Sequence, residues 1–158
     1  MADERPSAGA RASLAFAVAG RDAADYARGL VADVDKDHSP GERIRQARQL
    51  RIITLLVLDR AVLVEALTGT SWDAISDALM IPKDEVIRRY APTVQRWRDD
   101  LDSGRVDATI FGDFTTGLLD DPDPEGTART VDAWVARHAE PWDVEPDGAG
   151  PVTRALHP

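Results

Sequence analysis

Apolar side chains recur along this chain at steps of three and four, the period of a helix with one buried face. The pattern begins weakly at residues 12–34, where Leu14, Ala15 and Val18 are followed by Tyr26, Leu30 and Val34. Gly20 is a point where this helix is expected to be interrupted. Residues 33–41 are polar, and Ser39-Pro40-Gly41 predicts a turn, with Ser39 as helix cap and Pro40 at the first helical position. The helix that follows carries Ile44, Ala47, Ile52, Leu55, Leu56, Val62, Leu63, Ala66 and Leu67, and Gly69 supplies its stop. From Ile52 to Leu58 its apolar residues surround most of the circumference, so it must be covered on several sides. Flanking helices of the same chain are expected to do this, with a second copy of the chain as the alternative.

Two shorter periodic segments come next. Trp72, Ile75, Ala78 and Leu79 share one helical face, a break falls at Met80-Ile81-Pro82, and Val86 and Tyr90 open a second set. The helices are expected at residues 71–79 and 82–97. Periodicity fades over residues 99–119, where Thr109, Ile110, Phe111 and Phe114 suit either a short strand or an irregular packing arm. Asp123 as cap and Pro124 at the first position start a last helix, which carries Val131, Trp134 and Val135 and ends near Glu140. The expected organisation is therefore a disordered N-terminus (1–11) and a helical domain (12–98). A packing arm with a helix (99–140) follows, then an acidic, Pro- and Gly-rich tail (141–158) that is extended or disordered. The predicted fold class is all-α, a small helical bundle.

The segment from Gly69 to Tyr90 resembles the helix-turn-helix of bacterial regulators and sigma-factor-like domains, Trp-x-x-Ile-x-x-x-Leu-Gly-Val-Ser-x-x-x-Val-x-x-x-Tyr. Trp72, Ile75, Leu79, Val86 and Tyr90 stand at its apolar positions, and Ile81 at its turn valine. The resemblance spans residues 69–90 of 158. It implies a DNA-binding transcriptional regulator whose second helix enters a major groove of duplex DNA. Lys83, Ile87 and Arg88 would face the groove, with Arg89 and Arg96 at phosphates. Pairing through the 40–68 helix would match dimeric operator geometry. The chain departs from the motif at three places. Met80 replaces the turn glycine, so a strained or differently shaped turn is expected. Pro82 replaces the serine cap. Asp84 and Glu85 stand where the second helix would approach DNA, where they repel phosphates and are useful only as acceptors from a cytosine amino group.

Charge refines this picture. The chain carries a net −9, distributed as −2 over residues 1–40, +3 over 41–98 and −10 over 99–158. Screening over about 8–10 Å makes the local field matter more than the total. Arg43, Arg45, Arg48 and Arg51 form a basic cluster suited to phosphates or to an acidic partner. The rival to a DNA reader is a protein-interaction adaptor with a degenerate helix-turn-helix, using either the same pair of helices or the acidic C-terminal end with Trp134 and Trp142 as anchors.

Hydrophobic residues make up 43% of the chain, enough for a core, and there is no cysteine, which excludes disulfides and thiol chemistry. Asp3 and Glu4 occupy the flank that a secretion signal would make positive, and a cytoplasmic location is expected. The alanine- and arginine-rich, lysine-poor composition suits a GC-rich bacterial genome. Asp121, Asp123, Glu125 and Asp132 approach calcium-loop spacing, but Pro122, Pro124 and Ala128 break the pattern. His38, His138 and His157 have no metal-ligand spacing. With no phosphate-binding glycine loop or Ser/His/Asp arrangement, neither enzyme chemistry nor a cofactor is expected.

Overall fold

A computed structural model describes residues 6–103, 123–139 and 148–157. The described residues form six helices and no strand: α1 (Ala8–Ala32), α2 (Glu42–Thr68), α3 (Trp72–Leu79), α4 (Lys83–Ser103), α5 (Pro124–His138) and α6 (Pro151–Leu156). The fold is all-α, as the periodicity predicts. None of these helices is long and apolar enough to cross a membrane.

α1 and α2 run antiparallel, so that Gly9 near the start of α1 lies against Thr68 at the end of α2. The turn between them closes at Gly41, whose φ of 80° lies in the left-handed region that glycine enters without steric cost. Gly41, rather than Ser39, is the cap of α2, and the helix starts at Glu42. Ser39 is used differently: its carbonyl accepts from the Glu42 N–H and its hydroxyl oxygen from the Arg45 guanidinium. At the other end Gly69 stops α2 with φ 99°, as the sequence indicates.

Two apolar clusters share α1. The first joins Ala12 and Ala15 of α1 to Val62, Leu63 and Ala66 of α2, Ile75 of α3, and Val86, Tyr90, Val94 and Trp97 of α4. The second joins Ala10, Leu14 and Val18 on another side of α1 to Ala128 and Val131 of α5 and to Val152 and Leu156 of α6. Small residues on α1 let helices approach it from both sides. Arg60 is the one charged residue buried among those described, its guanidinium lying 5.6 Å over the Trp97 ring. Burial pushes its pKa down and neighbouring Asp59 pushes it up, but a guanidinium remains charged at neutral pH.

Several expectations change. Residues 8–11 belong to α1, because Ser7 caps it by accepting from the Ala10 N–H, and Gly20 lies within an unbroken helix. α4 runs past Trp97 to Ser103 with Pro92 inside it. The proposed tail contains α6, whose Val152 and Leu156 are buried, so residues 151–156 are neither extended nor disordered. The arm at 104–122, residues 140–147 with Trp142, and residues 1–5 lie outside the described residues. Finally, no described residue covers the outer side of α2: Ile52, Leu55 and Leu58 are 43%, 44% and 43% exposed.

Candidate nucleic-acid interface

The corner between α3 and α4 is built by local sequence. Ser71 caps α3 by accepting from the Ala74 N–H at 3.2 Å. Ile75 is buried, with Trp72 and Leu79 packed partly buried beside it, whereas Ala78 is exposed. Met80 ends the helix at φ 57°, ψ 35°, in the left-handed conformation that the turn glycine of the motif would occupy. The Met80 N–H bonds back to Asp77 O and the Ile81 N–H to Ser76 O, the paired closure that satisfies a helix's last carbonyls. Ser76 Oγ then donates to Ile81 O at 2.7 Å and locks the turn. Met80, a residue with a Cβ, carries the strain of this left-handed turn.

Pro82 stands one residue before the first helical position, and its carbonyl accepts from Glu85 and Val86 N–H groups. From there Val86, Tyr90, Val94 and Trp97, at steps of four, four and three, are buried against α2. Tyr90 is anchored twice. Its hydroxyl donates to Asp59 Oδ1 of α2 at 2.8 Å, and the Arg89 guanidinium lies 5.0 Å over its ring while reaching the same oxygen at 3.4 Å. Burial first, and the bond to Asp59 second, push the Tyr90 phenol up to about 12. Near the other end, Arg98 donates to Ala66 O at 3.2 Å. Nothing in the periodicity of the sequence announces Asp59; a lone acid at the edge of the most apolar run of α2 is its only signal.

The five residues singled out from sequence are spread around α4. Lys83 and Ile87, one turn apart, lie on the side toward α3: Lys83 is ion-paired with Asp73 at 2.8 Å and Ile87 is half-buried. Arg88, Arg89 and Arg96 are exposed, Arg89 and Arg96 seven residues apart on one side of α4 and Arg88 about a quarter-turn round from them. Asp84 and Glu85 are also exposed, in the first turn, where their charge suits the helix dipole. Between Glu85 and Asp99, α4 carries four arginines (Arg88, Arg89, Arg96, Arg98) and no acid. Over residues 72–99 as a whole, five cations balance five acids. Up to residue 98 the balance of this stretch is +1, so two of the three excess charges of residues 41–98 lie before α3, where the start of α2 carries Arg43, Arg45, Arg48 and Arg51. Arg45 is paired there with Glu42, Arg43 donates to Val34 O, and Arg48 and Arg51 are exposed. Arg48 lies 14 residues before Val62, about 21 Å along the helix axis from where α4 packs.

Trp134, a proposed anchor for a partner, is occupied within the chain. Its indole N–H donates to Asp25 at 2.9 Å, Arg28 lies 5.3 Å over its ring, and His138 stacks beside it. It fixes α5 to α1. Comparison of the chain with protein-family models, curated proteins and solved structures finds no match.

Proposed function

We propose that α3, the turn at Met80 and α4 act as a helix-turn-helix that binds duplex DNA, in a protein concerned with regulating transcription. The observation that supports it most is the run of exposed arginines on α4 between Glu85 and Asp99, on a helix held by Tyr90 and Trp97 at a fixed angle to α2. Arg88, Arg89 and Arg96 reach phosphates from this helix, and phosphate contacts supply most of the affinity of sequence-tolerant binding. Arg89 is only weakly held by Asp59 at 3.4 Å, so it can turn outward. Lys83 and Ile87 are closer to α3, and base contact falls to Arg88 and to whatever Asp84 and Glu85 accept from cytosine.

A second reading, the protein-interaction adaptor, is favoured by one observation: exposed Asp84 and Glu85 occupy the leading turn of α4 while Lys83 is engaged by Asp73. Fluorescence anisotropy of a random-sequence duplex across a salt series separates the two. The DNA reading expects affinity to fall steeply with salt. It also expects Arg88→Ala and Arg96→Ala each to weaken binding and lower the slope of log K against log salt by about one. Absence of binding at low ionic strength, or a double variant that binds like the native chain, removes the DNA reading and leaves the adaptor.

A further inference from the structure

Between Val18 and Arg60 no residue is buried, although residues 19–59 include Leu50, Ile52, Ile53, Leu55, Leu56, Val57 and Leu58. Here α5 lies against α1, through Trp134 at Asp25 and Arg28, but Ile52, Leu55 and Leu58 of α2 stay exposed, and an apolar helix face is stable only when a second layer covers it. The exposed stripe on α2 has an internal symmetry that indicates what covers it. Around Leu55, Ile52 and Leu58 stand three residues before and three after, and Arg51 and Asp59 four before and four after. Offsets of three and four are the neighbours of the central residue on one helical face. The three apolar members are equally exposed, at 43–44%.

We propose that a second copy of this chain docks on this stripe, the two α2 helices crossing antiparallel about a two-fold axis at Leu55. An isologous contact requires a self-complementary surface, and this register supplies one. Leu55 meets Leu55 of the other copy, Ile52 meets Leu58, and Arg51 meets Asp59, the last two pairs each occurring twice. Asp59 has room for the additional cation. Tyr90 and Arg89 both use its Oδ1, and its side chain remains 21% exposed. The axis cannot move toward the C-terminus, because α3 and α4 cover the stripe from Val62 onward. Nor can it move to Arg51, where the two copies would oppose arginine to arginine.

A contact of about two turns per helix is smaller than the roughly 800 Å² per partner of standard interfaces, so association in the micromolar range is expected. Sedimentation equilibrium of the full chain is expected to rise with concentration from 17.2 kDa toward twice that mass. Leu55→Glu should weaken association roughly thirtyfold or more while circular dichroism keeps its helical signal. Arg51→Asp, a surface change that cannot unfold the core, should weaken it also. The chain has no cysteine, so Leu55→Cys reports the register directly: it should form a disulfide-linked dimer at least about tenfold faster than Thr54→Cys, one residue off the stripe. A chain monomeric up to about 200 µM overturns the proposal. So does a dimer indifferent to Leu55→Glu and Arg51→Asp, or equal cross-linking at positions 54 and 55. None of these measurements involves DNA, so the dimer and the DNA reading fail separately.

Discussion

Met80 holds a conformation that side chains with a Cβ rarely adopt, at φ 57°, and it is 90% exposed. Its side chain therefore contributes little packing to offset the about 1–2 kcal/mol that the left-handed conformation costs an L-residue. Met80→Gly is expected to stabilise the fold by about 1 kcal/mol, the relief of strain outweighing the greater freedom glycine gives the unfolded chain. A urea midpoint that stays unchanged or falls would show that the turn is not strained. Tyr90 gives a residue-scale prediction in pH. Its phenol titrates near 10 when unfolded and is pushed up to about 12 when folded, by burial first and by donation to Asp59 second. Folding thus favours the protonated form. That stability is complete below pH 10 and is lost as pH rises from about 10 to about 12. Tyr90→Phe should cost about 1 kcal/mol at neutral pH. It should also remove this part of the alkaline loss, seen as a smaller drop in denaturant midpoint between pH 10 and 12 than in the native chain; equal drops would refute the linkage.

Among elements, those whose ends are set by their own residues were legible in the sequence. Gly69 stops α2 and Asp123 caps α5 by accepting from the Gly126 N–H at 2.8 Å, each a local device. Pro82 marked the start of α4 within one residue for the same reason. The start of α1 was obscured by composition, since Gly9 and Ala10 carry no hydrophobic signal, yet Ser7 is a good cap and alanine the best helix former. α6 was illegible for a different reason. Its cap comes from α5: the Asp132 carboxylate accepts from the Val152 and Thr153 N–H groups at 2.8 and 3.0 Å and from the Thr153 hydroxyl. Gly150 is required there, because a Cβ would lie 2.2 Å from the Asp132 carboxyl carbon. A six-residue helix held by a carboxylate twenty positions away leaves no local pattern to read. The candidate interface was half legible: spacing placed Arg88, Arg89 and Arg96 on α4, but the ion pair of Lys83 with Asp73 joins residues ten apart on different helices.

At the scale of the molecule, α1 belongs to two cores, and the two are expected to differ in what they hold together. The core under α2, α3 and α4 contains the fully buried Leu63 and Trp97, whereas α6 depends on Val152, Leu156 and one carboxylate. Leu63→Ala should lower global stability by about 3 kcal/mol, since it opens a cavity where three helices meet. Asp132→Ala leaves two N–H groups of α6 without their acceptor and should release that helix by local unfolding, with α1 to α4 keeping their protection. Hydrogen exchange followed by mass spectrometry distinguishes the cases: faster exchange confined to peptides of α5 and α6 for Asp132→Ala, and faster exchange throughout α1 to α4 for Leu63→Ala. If Asp132→Ala speeds exchange equally in α3 and α4, the two cores unfold as one unit and α1 transmits strain between them. In that event anything that displaced α6 would also alter the angle at which α4 presents Arg88, Arg89 and Arg96. A purely local response would instead leave the α3–α4 corner mechanically independent of the chain's end.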